Sequence, residues 1–391
     1  MAASLRRART PAPVASAIGN YEVIRKLATG GMGEVFLAKQ RGPVAFSRDV
    51  VLKKLHQGYT EDPEFVTMFL NEAQLAANLS HPNIVHIYDL FEDDGYVIAM
   101  EYVRGATVLS VLRARARQAT AFPYGPAVRI AIAVCEALHY AYTSVGEDGQ
   151  PRHIVHRDIS PSNVLLGYDG HVKLADFGVA KALDVNVTRG ESIKGKFGYL
   201  SPEQVRCLPL DQRSDLFALG IVLWEMAVGS PLYKRESDAA MLYAMMEADA
   251  PPPSSRHPDF PRDLEDVIMK ALSRDRDQRY ASALDMATEL RRVARDHDWD
   301  IEAQALAELV TETIPADEVA FGRIGSSDAF SSGSLSPRRH TTFGDGSDSF
   351  VSLEVKPSRV PLARDRAVLT STLVMLALSA IFWIFVVPTL I

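Results

Sequence analysis

The chain has 391 residues, 47% of them hydrophobic and 23% charged, with a formal net charge of −7. That is apolar material for a full core and more length than one ordinary domain needs, and the negative balance argues against a nucleic-acid binder, whose domain should be basic. Two cysteines, Cys135 and Cys207, lie outside any CxxC spacing, which argues against zinc or thiol-redox chemistry and fits reduced thiols.

Residues 1–20 read as a disordered leader, because their charges and small residues enclose no apolar core of a secretory signal. The segments "YEVIRKLATGG", "GEVFLAKQ" and "DVVLKKL" then alternate like strands of one antiparallel sheet. "EFVTMFLNEAQLAANL" has helical spacing, with Phe65, Phe69, Leu75 and Leu79 toward one face. Two more strands follow, "IVHIYDLFE" and "YVIAMEYV", joined by a turn at Asp93-Asp94-Gly95. Beyond Arg104 the pattern is mostly helical, and "VRIAIAVCEALHYAYT" and "DLFALGIVLWEMAVG" are apolar enough to be buried helices. The expected architecture is α+β: a small sheet-rich lobe followed by a larger helical lobe, together spanning 21–295. Residues 296–314 form a short helical extension, and the Ser/Gly-rich stretch 315–366 is a flexible linker. Residues 367–391, "AVLTSTLVMLALSAIFWIFVVPTLI", carry no charge, whereas a membrane-spanning helix needs about 20 apolar residues. A transmembrane helix is expected there. The competing reading is a buried core helix, and the internal Trp383 departs from the rule that places such rings at the membrane interface.

"LATGGMGEV" (27–35) lies between two strands, where Gly30, Gly31 and Gly33 allow backbone to fold closely over phosphates; the same pattern also describes a tight hairpin. Lys53 ends a strand, placed to reach phosphates or to be a solvated lysine, as Lys54 on the opposite face is expected to be. Glu72, on the following helix, is positioned to pair with Lys53, although most helical glutamates only solvate a face. Asp158 and Asn163 in "HRDISPSN", with Asp176 in "LADFG", supply carboxylate and amide oxygens suited to a hard cation such as Mg²⁺.

In this order, with Ser201-Pro202-Glu203 and Asp215 following, the elements resemble the eukaryotic-type protein kinase family over roughly residues 21–293. "HRDISPSN" and "GKFGYLSPEQ" resemble bacterial, and in particular myxobacterial, members. The resemblance implies a bilobal kinase fold, ATP and Mg²⁺ as cofactors, protein substrates and no nucleic acid. It implies that Lys53 and Asp158 are catalytic and that Asn163 and Asp176 bind the metal. The nucleotide would lie against Leu27, Ala28, Thr29, Gly30, Gly31, Gly33, Val35, Lys53, Glu72, Met100, Glu101, Val103, Asn163 and Asp176. Met100 would be the gatekeeper, with Glu101 to Val103 as the hinge. Glu203 would pair with Arg279, and Asp215 would brace the catalytic loop.

Three positions depart from the family pattern. Ala28 replaces the first glycine of GxGxxG. Ser160 replaces the lysine that serine/threonine members carry two residues after the catalytic aspartate. Lys196 stands where those members have threonine. The last two changes look reciprocal, so Lys196 is expected to supply the missing cation; the alternative is a solvated loop lysine. Absence of "AAR" or "RAA" after Asp158 points to serine/threonine rather than tyrosine acceptors. The competing class is a pseudokinase scaffold, against which the joint retention of Lys53, Glu72, Asp158, Asn163 and Asp176 argues. The resemblance further implies activation through phosphorylation of Thr188 or Ser192 opposite Arg157, homodimerisation on activation, and autophosphorylation of the linker near Ser336, Thr341 and Thr342. Lys356, Arg359, Arg364 and Arg366 flank the apolar tail on its N-terminal side, so a single-pass inner-membrane anchor would hold the kinase domain in the cytoplasm.

Overall fold

The computed structural model describes residues 17–30, 33–43, 47–146, 148–177, 197–233, 240, 245–246 and 249–315. The strands β1 (Ala17–Ile18), β2 (Tyr21–Thr29), β3 (Gly33–Arg41), β4 (Ser47–Leu55), β5 (Ile87–Glu92) and β6 (Tyr96–Glu101) form one antiparallel sheet in the order β1-β2-β3-β4-β6-β5. The expected alternation is present, and its inward set includes Tyr21, Ala38, Val50, Leu52, Val97 and Ala99. The sheet curls until its ends meet: Tyr21 stacks on Phe91 at 5.5 Å, and the Gly19 amide donates to Asp93 Oδ2 at 2.6 Å. The leader expected over 1–20 is therefore corrected at its end, because Ile18 is buried and Gly19, at φ +54°, presses against the Phe91 ring. Residues 1–16 lie outside the described residues.

Helix α1 (Pro63–Ala77) starts with the Asp62 side chain capping the Glu64 amide and with proline at its first position. Its buried face is Met68, Phe69, Glu72, Ala73 and Ala76. Phe69 agrees with the face read from the sequence, but Phe65 and Leu75 are only partly buried. The buried stripe runs through a glutamate that an apolar periodicity count passes over.

The large lobe is built on α3 (Tyr124–Thr143) and α5 (Gln212–Val228), preceded by α2 (Val108–Gln118), with the short α4 (Pro202–Val205) between them. Every residue of α5 from Ser214 to Ala227 is buried, so this helix is the axis of the lobe. α6 (Arg262–Ala271) and α7 (Ala283–Asp296) complete it. The sequence reading missed a three-stranded sheet, β7 (Gly105–Thr107), β8 (Val164–Gly167) and β9 (Val172–Leu174). Strands this short leave almost no periodicity, but Gly105 marks the crossing: a Cβ there would lie 1.8 Å from the Leu166 carbonyl oxygen. The loop after α1 zips onto this sheet, with Val85 N bonded to Leu174 O at 2.9 Å and Leu174 N to Asn83 O at 2.8 Å. Both lobes therefore position β9 and the residues that follow it.

A helix lies within the expected extension. α8 (Ala303–Thr313) buries Leu306, Leu309 and Val310, Arg129 donates to the Ile301 carbonyl at 2.7 Å, and the Tyr168 hydroxyl donates to the Ile314 carbonyl at 3.0 Å. Burial of each aliphatic side chain stabilises by roughly 1.5–3 kcal/mol. A fragment ending at residue 295 should therefore melt at least about 5 °C below one ending at 315. Calorimetry of both fragments checks this, and equal melting temperatures would show that α8 is dispensable. Among the described residues no helix is long and apolar enough to cross a membrane. The expected linker from residue 316 onward and the expected helix 367–391 lie outside the described residues.

Candidate active site

Lys53, on β4, lies opposite Val35 on β3 and Ile98 on β6. Its ammonium donates to Glu72 Oε1 at 2.8 Å and to Asp176 Oδ1 at 3.0 Å. Burial alone would lower the lysine pKa, but Asp176 and Glu72 raise it, so the group is a fixed cation. Lys54 faces the other way and pairs loosely with Asp94, as the alternation predicts.

Asp176 reaches Lys53 through an unusual backbone. Its φ is +56°, which turns the carboxylate into the cleft while Phe177 goes into the core against the His156 ring at 4.5 Å. His156 is fully buried; Nε2 meets the Ala175 carbonyl at 3.1 Å, and Nδ1 accepts from the Asp158 amide at 3.2 Å. That arrangement fits the tautomer with its proton on Nε2. Arg157 also has positive φ, +67°. Asp215 braces it from α5: one carboxylate oxygen accepts from the His156 amide and the other from the Arg157 amide, both at 2.7 Å. Burial pushes the Asp215 carboxyl up to about 7, against those two bonds. Gln204 of α4 donates to the Arg157 carbonyl at 3.0 Å.

Asn163 Nδ2 donates both to the Asp158 carbonyl at 2.8 Å and to its carboxylate Oδ2 at 3.0 Å. Those bonds turn the amide oxygen away from Asp158. The Asn163 amide and the Asp176 carboxylate both offer oxygen donors of the kind a hard cation takes, so the residue types fit Mg²⁺.

The nucleotide-binding residues read from the sequence mostly converge. Leu27, Leu37 and Val51 pack with Val35, Met100 and Tyr102, while Val103 packs with Val85, Ala175 and Leu165. Together they give the apolar walls a flat base requires. Ala28 is buried and Thr29 exposed at the end of β2, and the Gly30 amide bonds to the Gly33 carbonyl at 2.7 Å. Gly33 has a physical reason beyond phosphate approach: a Cβ there would lie 2.3 Å from the Lys54 carbonyl oxygen. Glu101 has a side-chain role as well. Its carboxylate accepts from Lys173 Nζ at 2.8 Å and from the His86 amide at 3.2 Å, so the side chain ties the hinge to β9. Gly31 and Lys196 lie outside the described residues.

Two further buried carboxylates lie in the large lobe. Glu203 pairs with Arg279, whose five N–H donors reach Glu203 twice and the carbonyls of Ser273, Arg213 and Arg274. Burial works to raise the Glu203 carboxyl, but Arg279 and Ser214 more than offset it and hold it below the usual range. Glu225 of α5, which the sequence reading did not single out, accepts from the Tyr199 hydroxyl at 2.7 Å and the Leu232 amide at 3.1 Å. Its signal was available, a lone glutamate inside the apolar run "GIVLWEMAVG".

Burial pushes the Glu225 carboxyl up to about 7, whereas an unfolded glutamate titrates near about 4.3. The folded chain thus holds a proton that the unfolded chain has lost. The resulting stabilisation is complete below about pH 4 and disappears as the pH rises through about 7. Between about pH 5 and 8, a Glu225→Gln variant should lose less stability than the parent chain, by on the order of 1 kcal/mol. Urea melts across that range check this, and parallel slopes would rule it out.

The protein kinase domain family model matches residues 21–292. The chain is 42% identical over 287 residues to tyrosine-protein kinase MasK of Myxococcus xanthus, covering 73% of this chain and 44% of that protein. It is 37% identical over 277 residues to serine/threonine-protein kinase PrkC of Bacillus subtilis, covering 70% and 40%. It thus spans less than half the length of these curated relatives. Among solved structures, the kinase domain of Mycobacterium tuberculosis PknI superposes with a TM-score of 0.55 at 28% identity, covering 71% of this chain and 98% of that one. The match across both lobes and the convergence of Lys53, Glu72 and Asp176 beside Asp158 and Asn163 lead to one conclusion: the chain belongs to the protein kinase family.

Proposed function

We propose that the chain transfers the γ-phosphoryl group of ATP to serine and threonine hydroxyls of proteins. The observation that carries this reading is Lys53, held between Glu72 and Asp176 beside the Asp158–Asn163 pair. Lys53 would hold the α- and β-phosphates. Asn163 Oδ1 and the Asp176 carboxylate would hold Mg²⁺, which when bound neutralises charge across the β- and γ-oxygens. Asp158 would orient the acceptor hydroxyl and take its proton. Incubation of the full chain with labelled ATP, Mg²⁺ and a generic protein acceptor should give labelled phosphoserine and phosphothreonine. No transfer would favour the pseudokinase reading. A tyrosine acceptor is the second reading, favoured by similarity to MasK, and phosphoamino-acid analysis showing phosphotyrosine alone would establish it.

Position 160 supplies no charge: serine is neutral, and the Ser160 hydroxyl is buried 2.9 Å from that of Ser162. Lys196 is proposed to supply it instead. Lys196→Ala should slow transfer by about 10²–10³-fold, as loss of other charge stabilisers does, and Ser160→Lys in that background should partly restore it. A Lys196→Ala enzyme with parental turnover would refute the exchange.

Arg157 Nε is buried and has no hydrogen-bond partner among the described residues, which supports a role in receiving a phosphate on Thr188 or Ser192. The remaining proposals rest on the sequence: anchoring by 367–391 in the inner membrane with the kinase domain in the cytoplasm, homodimerisation on activation, and autophosphorylation of the linker. Extraction by alkaline carbonate, or an unchanged distribution after deletion of 367–391, would exclude the anchor.

A further inference from the structure

Between Asp158 and Asn163 the loop reads Ile159-Ser160-Pro161-Ser162, so two hydroxyls stand where kinases that place lysine at position 160 have a charge. Ser160 is 2% exposed and Asn163 4%. The hydroxyls are 2.9 Å apart, and Ser162 Oγ donates toward Asn163 Oδ1 at 3.4 Å. A hydroxyl has a single proton. Either hydroxyl can donate in the 2.9 Å contact; when Ser162 turns its proton to the amide oxygen, Ser160 donates to Ser162, and the bonds run from Ser160 through Ser162 to Asn163 Oδ1.

At the other end of the amide, Nδ2 donates twice to Asp158. Rotating the carboxamide by half a turn would set its oxygen against the Asp158 carbonyl and carboxylate, and its NH₂ against a hydroxyl proton. The backbone holds the serines in register: Asn163 N bonds to Ser160 O at 3.0 Å, and Leu109 N bonds to Pro161 O at 2.9 Å. Pro161 also confines Ser160 to extended backbone. At 3.4 Å the Ser162 bond is longer than the usual hydroxyl bond of about 2.7–2.8 Å. It therefore steers the amide oxygen without saturating it, because a carbonyl oxygen has two lone pairs.

We infer that Ser162, backed by Ser160, is a positioning residue that fixes the Asn163 carboxamide with its oxygen toward the cation site and so sets the affinity of that site for Mg²⁺. This rests on the kinase reading of the same residues. Loss of a group that orients a metal ligand typically costs about 10–100-fold in metal affinity.

Calorimetry of ADP binding to the full chain, with and without Mg²⁺, tests the inference apart from turnover. In Ser162→Ala, affinity for metal-free ADP should match the parent, while the gain on adding Mg²⁺ should shrink about 10-fold. Ser162→Thr, which keeps the hydroxyl, should restore the gain. Ser160→Ala should shift it in the same direction by less. The Mg²⁺ midpoint for phosphate transfer should rise in parallel, with kcat at saturating Mg²⁺ within a few-fold of the parent. If Ser162→Ala does not fold, Ser162→Cys, a weaker donor of similar shape, carries the same readout. An unchanged Mg²⁺ gain in whichever of these variants folds, or a fall in kcat without a change in Mg²⁺ dependence, overturns the inference. A parent chain whose ADP binding gains nothing from Mg²⁺ overturns the kinase reading itself.

Discussion

Asp158→Asn should bind metal-free ADP with parental affinity yet transfer phosphate about 10³-fold more slowly, the scale of a lost general base. Asp158 is held by its own amide on His156 Nδ1 and by Asn163 on its carbonyl and carboxylate, all within the large lobe. Lys53, the residue placed to hold phosphates, is fixed instead by Glu72 and Asp176. Phosphate binding and chemistry therefore rest on different side chains: a neutral amide at position 158 removes the acceptor's base and one of the two bonds that orient Asn163, and leaves Lys53 with both of its partners. Parallel ADP calorimetry and single-turnover transfer separate the two. Parental transfer by Asp158→Asn would mean that Asp158 is not the base. Loss of ADP affinity would mean that the substitution disturbs the site more widely.

Arg279→Met should cost about 3–5 kcal/mol of stability, the penalty for leaving a buried carboxylate without its partner. At roughly 2–4 °C per kcal/mol for a chain of this size, melting should fall by about 10 °C. Arg279 has a side chain with no exposure, its guanidinium lies 4.7 Å from the centre of the Phe217 ring, and each of its donors is satisfied. Lysine could not reproduce that planar fork, so Arg279→Lys should be nearly as damaging. Replacing both partners, as Glu203→Leu with Arg279→Met, should recover part of the loss, because the uncompensated charge is then gone. A single Arg279→Met variant within about 1 kcal/mol of the parent would refute the assignment.

Lys53, Glu72, Asp158, Asn163 and Asp176 were legible because each sits in a short motif whose residue types fit one chemistry. Their convergence was legible only through the family resemblance, since Lys53 and Asp176 are 123 positions apart. Features that escaped share one cause: their partners are distant in the chain. Nothing near Glu101 in the sequence points to Lys173, 72 positions on, as the partner of its carboxylate. Nothing near Gly33 shows that β4 crosses behind it. Strands β2 to β6 were foreseeable from alternation over six to nine residues, whereas β1 and β7 to β9 were too short to alternate.

The two contacts of Lys53 differ in kind. The one to Glu72 is internal to the small lobe, and the one to Asp176 crosses to the large lobe. Asp158 and Asn163, the proposed base and metal-binding amide, belong wholly to the large lobe. Each lobe is thus one key of a two-key lock, complete in itself and inert without the other. Parting the lobes by a few ångströms would silence the enzyme with every helix and strand intact, and rejoining them would restore it with nothing to refold.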